Sequence, residues 1–168
     1  MTRFLTCAAV LAAVLVQATA GPASTAPGCT ARQIHASFDY VPGSAAAGHV
    51  TYIVKLVNRG TPCTISGRPG LRLYDGRGRP LPTHAFPDHP GTGTAVLVTI
   101  RTGHSARANA RFSPDVPGPG EGNPCERAAV HVHVTLPSPA QGAVIGPVKP
   151  RTPVCEHGRI VLGLLHGG

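Results

Sequence analysis

Residues 128–136 read Ala128-Ala129-Val130-His131-Val132-His133-Val134-Thr135-Leu136, and from Val130 onward apolar and polar side chains alternate without a break. Successive side chains of a strand point to opposite faces. Val130, Val132, Val134 and Leu136 therefore share one face, and His131, His133 and Thr135 the other. Period two over this length is the pattern of a half-buried β-strand. It recurs upstream, where Ile34, Ala36, Phe38 and Tyr40 alternate with His35, Ser37 and Asp39, and Ala106, Ala108, Ala110 and Phe112 alternate with Arg107, Asn109 and Arg111. Val50-Thr51-Tyr52-Ile53-Val54-Lys55-Leu56-Val57 is β-branched and apolar on both faces at several points, as expected of a strand near the middle of a sheet.

Turn chemistry separates these runs. Asn58-Arg59-Gly60-Thr61-Pro62 turns the chain before two short strands, Cys63-Thr64-Ile65 and Leu71-Arg72-Leu73-Tyr74. Asp75-Gly76, followed by Gly78, predicts a hairpin leading to Arg79-Pro80-Leu81, and Pro80 and Pro82 place that return strand at an edge. Further on, Thr83 to Gly93 reads as a loop. Ala95 to Ile100 reads as a strand pairing with the one that carries Ala106 to Phe112. Ser113 to Asn123 is a Pro/Gly loop, Pro137 to Pro153 is mostly irregular, and Ile160 to Leu165 is a final strand. No capped apolar pattern of period 3.6 follows residue 20. The chain is predicted to be all-β, an immunoglobulin-like β-sandwich of about seven to nine short strands, with a Greek-key β-barrel as the alternative. It has no Trp, so the sandwich would lack the core aromatic of an antibody-type domain.

At the N-terminus, Arg3 precedes an apolar run of 13 residues, Phe4 to Val16, and Ala18-Thr19-Ala20 offers the small residues of a cleavage site. Residues 1–20 are predicted to be a cleaved secretory signal, 21–28 a flexible leader, and 29–168 one domain. The run is shorter than a bilayer span needs, so no membrane span is expected after cleavage. Loss of Arg3 leaves 14 basic against 7 acidic side chains. Leu, Ile, Val and Phe make up 32 of the remaining 148 residues, a lean core that needs help from elsewhere. The cysteines supply it. Cys29, Cys63, Cys125 and Cys155 are an even set in an exported chain, which predicts two disulfides. Of three connectivities, Cys29 with Cys63 and Cys125 with Cys155 is favoured, because each pair brackets its own block of strands.

Gly48-His49-Val50-Thr51-Tyr52, Leu56-Val57-Asn58-Arg59-Gly60, Cys63-Thr64-Ile65-Ser66-Gly67-Arg68-Pro69-Gly70 and Leu73-Tyr74-Asp75-Gly76-Arg77-Gly78 together resemble the domain-of-unknown-function family 4232. That family comprises secreted or lipid-anchored proteins of high-G+C Gram-positive bacteria. The resemblance spans about Cys29 to Leu164, with Arg68 standing where the family usually has an aromatic. It implies a β-sandwich exported to the cell envelope and supplies no catalytic residues.

Two clusters are candidate sites. His131 and His133 project from one strand face, and two imidazoles so placed hold Zn²⁺ or Cu²⁺ when a third ligand arrives; His157, His84, Asp88 or His89 would be that ligand. The simpler reading gives the valines the core and the histidines the solvent, so neither a tight metal site nor a cofactor is expected. Arg68, Arg72, Arg77 and Arg79 gather around one hairpin, and Arg101, Arg107 and Arg111 line another strand pair. Guanidinium forks match phosphate and carboxylate, which points to an anionic cell-wall polymer or an envelope protein as partner. Nucleic acid is not expected, since the exported chain has six aromatics for stacking. No G-x-S-x-G, H-E-x-x-H or Gly-rich phosphate loop is present, so no enzyme is expected. The leading expectation is a noncatalytic binding or structural module, secreted or extracellular, with cell-wall association as the variant of that reading. The runners-up are an envelope metal-binding protein and an inhibitor of secreted proteases.

Overall fold

A computed structural model describes residues 26–91 and 93–168; the predicted signal and the start of the leader lie outside them. Eleven strands follow in order: β1 (Ile34–Tyr40), β2 (Val50–Asn58), β3 (Cys63–Ser66), β4 (Gly70–Tyr74), β5 (His84–Pro87), β6 (Leu97–Ile100), β7 (Ser105–Phe112), β8 (Ala129–Thr135), β9 (Ala143–Thr152), β10 (Arg159–Leu162) and β11 (His166–Gly167). The long sheet runs β4-β8-β9-β1-β2-β7-β10-β5, with β11 also on β7, while β3 and β6 form a separate pair. Residues 80–83 bring the ends of the path together. Leu81 N–H donates to Leu73 O at 2.9 Å, and Leu73 N–H to Thr83 Oγ1 at 3.0 Å, one residue before β5 begins. The chain is an all-β sandwich in which one curled, nearly closed sheet is completed by a short second one.

The predicted faces are the observed ones. Phe38, Val54, Leu56, Ala106, Ala108, Ala110, Val132 and Val134 are fully buried. Small residues sit across from large ones: the register sets Phe38 opposite Val54 and Val54 opposite Ala108. The alanines of β7 leave room for Phe38, Tyr52 and Phe112, whose ring centroids lie 4.9 to 6.0 Å apart. Asn58 ties the two sheets. Its buried amide donates to Thr61 O at 2.7 Å and Ile100 O at 2.9 Å, and its carbonyl accepts from Gly60 N–H at 2.8 Å. Disulfides join Cys29 to Cys63 and Cys125 to Cys155.

Five local expectations are corrected. Within the stretch expected to be a loop, His84–Pro87 forms β5, parallel to β10 from Arg159↔His84 to Leu162↔Pro87. All four of its side chains are exposed, so no alternation marks it, and pairing with β10 alone makes it a strand. The stretch expected to be irregular holds β9. Its prolines, Pro147 and Pro150, fall at an irregularity in the ladder with β8: β9 pairs with β8 from Ala143 to Pro147 and again at Thr152, opposite Ala129, and lies beside β1 at Val148 and Lys149. β6 pairs with β3 and not with β7, because residues 101–104 step between layers, held by Gly103 N–H to Asn58 O and Asn58 N–H to His104 O. Finally, the expected last strand, Ile160 to Leu165, is strand only as far as Leu162, within β10, with β11 lying beyond it, and the hairpin return makes a single bridge, Tyr74↔Pro80.

Candidate functional site

β4 ends in the turn Asp75-Gly76-Arg77-Gly78-Arg79, which is built around one carboxylate. The Asp75 side chain is 6% exposed. Its Oδ1 accepts the N–H groups of Arg77 and Arg79, both at 2.9 Å. Its Oδ2 receives Arg79 Nε at 2.9 Å and Arg79 Nη2 at 2.8 Å, and Arg127 Nη1 lies 3.5 Å away. The backbone bond from Arg79 leads the donors that hold the Asp75 pKa below its ordinary 3.8. Arg127 and Arg151 come to this turn from distant sequence, because Ala129 pairs with Thr152 where β8 begins and β9 ends. Together with Arg77, Arg79 and Val130 they line an open hollow of about 390 Å³. Four guanidiniums against one carboxylate leave a net positive site. Asp75 fixes two of them, while Arg77 and Arg151 make no ion pair among the described residues. Such a fork-lined hollow is suited to a phosphate, sulfate or carboxylate.

The predicted arginine cluster is only partly assembled here. Arg77 and Arg79 line the hollow. Arg72 instead lies on the outer face of β4, opposite His133. Arg68 fastens β10 to the end of β5, its Nε donating to Leu162 O at 2.6 Å and its Nη2 lying 3.4 Å from Asp88. Arg107 and Arg111 sit on β7, and Arg101 in the turn after β6, so these three do not share a β6–β7 face. His131 registers with Tyr74 and Pro147, and His133 with Arg72 and Ile145. A guanidinium directly across from His133 opposes a divalent cation there. His157 faces elsewhere, with Nε2 3.1 Å from Pro119 O and Nδ1 3.6 Å from Glu121. His89 lies 3.4 Å from Asp88, and His84 is on β5. Among the described residues no three His, Cys, Asp or Glu side chains come together to hold a metal ion.

Residues 29–164 match the family model described as Domain of unknown function (DUF4232). The chain belongs to this family. Comparison with curated proteins and with solved structures returns no match. Most of the motif that carries the DUF4232 resemblance is scaffold: Cys63 and Ile65 are core, Pro69 is buried, and Gly67 turns the chain at φ +94°. Only Asp75, Gly76 and Arg77 of those residues reach the hollow. The sequence reading missed Arg127 and Arg151. Their one local signal is that Arg127 follows Cys125 by two residues and Arg151 precedes Cys155 by four.

Glu121 was missed as well, and it organises the other side of the Cys125–Cys155 bridge in this DUF4232 chain. Glu156, His157 and Gly158 follow one another in the left-handed region at φ 54°, 56° and 78°. This turns the amides of Glu156 and His157 inward as an anion nest. The Glu121 carboxylate fills it, accepting Glu156 N–H at 2.8 Å and also the N–H groups of His157 and Gly118. Burial pushes the Glu121 pKa up, but those three amides and the nearby His157 outweigh it and hold the pKa below its ordinary 4.5. A carboxyl with a depressed folded pKa stabilises the fold above the unfolded value and loses that contribution as pH falls through the folded one. Thermal melts should therefore drop as pH is lowered below 4.5, with Asp75 adding its share below 3.8. Glu121→Gln should start roughly 5 °C lower at pH 7 and lose less on acidification to pH 3. Equal losses in the two proteins would remove Glu121 from this role.

Proposed function

We propose that the chain is a noncatalytic, extracytoplasmic binding module that takes an oxyanion-bearing ligand in the arginine-lined hollow. The carrying observation is the division of labour around Asp75: one buried carboxylate holds Arg79 and Arg127 in place and leaves Arg77 and Arg151 to an incoming anion. Asp75 is kept ionised and its oxygens are already bonded, so it serves as an anchor and not as a base, which supports binding over chemistry. Export rests on the N-terminal apolar run with its small-residue cleavage site and on two disulfides, which persist in oxidising compartments. Among the described residues no helix is long and apolar enough to cross a membrane. Anionic polymers of the cell envelope and acidic surface proteins are the sources of such a ligand that an exported chain meets.

The oxidised protein should gain thermal stability from millimolar inorganic phosphate and from a glycerol-phosphate polymer at low ionic strength. A ligand at a hundred times its Kd adds about 2.7 kcal/mol, which is several degrees in Tm. The gain should shrink with added NaCl, and the double variant Arg127→Gln, Arg151→Gln should bind at least about tenfold more weakly. No shift at low salt, or equal affinity in the double variant, would overturn the proposal.

A further inference from the structure

The arginine hollow does not stand alone. A second hollow of about 530 Å³ adjoins it, lined by Pro124, Cys125, Glu126, Arg127, Ala128 and Pro153, so that Arg127 and Ala128 belong to both. Its character is different. Two proline rings, the Ala128 methyl and the cysteine side chain give it a mainly apolar wall, and Cys125 of that wall is bonded to the buried Cys155. Proline rings have no rotamers to freeze, so contact with them costs little ordering. The single acidic group in the second hollow is Glu126. From one end to the other the surface therefore runs from guanidiniums, through Arg127, to an apolar floor with a carboxylate.

This polarity selects among anions. A uniformly charged polymer laid along both hollows would bring its second anionic group to Glu126, where like charges repel. A ligand with one anionic head and an apolar body meets no such conflict. The head is better a phosphate than a carboxylate, because several guanidiniums converge and a phosphate monoester offers three terminal oxygens to their forks where a carboxylate offers two. We infer that the site takes a phosphate monoester of an apolar group, with the phosphate among Arg77, Arg79, Arg127 and Arg151 and the apolar body against Pro124 and Pro153. This rests on the oxyanion reading above and narrows it from any anion to an amphiphilic one.

The test is a calorimetric titration of the oxidised chain with inorganic phosphate, phenyl phosphate, benzoate and tripolyphosphate. Phenyl phosphate should bind about tenfold more tightly than inorganic phosphate, the gain of burying one ring face, and also more tightly than benzoate. Pro153→Ser should remove most of the advantage over inorganic phosphate without weakening inorganic phosphate itself. Should that variant fold poorly, Glu126→Gln gives an independent reading: tripolyphosphate should gain more from it than phenyl phosphate does. Equal affinity for phenyl phosphate and inorganic phosphate, or a Glu126→Gln effect that favours phenyl phosphate, would overturn the inference and leave the oxyanion site standing. Absence of binding by every phosphate would remove both.

Discussion

Gly146→Ala is expected to cost more than about 4 kcal/mol of folding stability, the range in which single substitutions become exceptional, and to leave little folded protein at 37 °C. Gly146 lies buried on β9, which has β8 on one side and β1 on the other. A methyl there would sit 2.1 Å from Ala36 O and 2.5 Å from Ala36 C, both backbone atoms. Side chains relieve such overlap by changing rotamer, but this contact can be relieved only by moving a strand. β1 cannot move freely, because seven register pairs bind it to β2 and the buried Phe38 lies two residues on. Ordinary overpacking costs about 1 to 3 kcal/mol, and a methyl driven into the backbone of a neighbouring strand exceeds it. Gly103→Ala is the control. Gly103 sits at φ +79° with nothing within 4 Å of an added methyl, so it should cost only the left-handed backbone penalty of about 1 to 2 kcal/mol. Urea unfolding of the two variants separates the cases, and a Gly146→Ala no weaker than Gly103→Ala would mean that β9 has slack against β1.

The close approach of β9 to β1 also marks the limit of what the chain's pattern declares. Where a strand has one wet and one dry face, alternation is legible, and Val132 with Val134 inside and His131 with His133 outside follow directly from it. Ala106, Ala108, Ala110 and Phe112 do the same on β7. The pattern is silent where the physics is not local. β5 has no buried side chain to alternate, and β9 carries prolines at positions that look forbidden until the irregularity in its ladder with β8 is known. The partner of β6 is set by a step between layers, which no single strand encodes. The hollow is illegible for a related reason. Arg77 and Arg79 sit in a recognisable turn, but Arg127 and Arg151 reach it only because β8 begins where β9 ends. The family motif describes the scaffold, and a scaffold motif names few of the residues that face a ligand.

The second large effect concerns the disulfides, which should differ in cost and in consequence. Closing loops of 34 and 30 residues gives each bridge roughly 4 kcal/mol in the chain-entropy picture, enough to lower Tm by roughly 10 to 20 °C when either is lost. Their surroundings then separate them. Cys29 and Cys63 are 0% and 1% exposed, and Cys29 N–H also donates to Thr64 O, alongside β3. Cys125 is partly exposed and only Cys155 is buried. Under limiting reductant, Cys125 and Cys155 should be alkylated first, with Cys29 and Cys63 following only as the fold opens; mass mapping of alkylated peptides reads this order directly. Function should divide the same way. Cys125 stands two residues from Arg127 and its partner anchors the turn that Glu121 fills, so Cys125→Ala, Cys155→Ala should lose the phosphate-induced rise in Tm even at a temperature where it is folded. Cys29→Ala, Cys63→Ala lies away from the hollow and should keep that rise on a less stable protein. Loss of the phosphate effect in both variants alike would mean that the bridges support the fold as a whole and that neither one specifically positions the arginines.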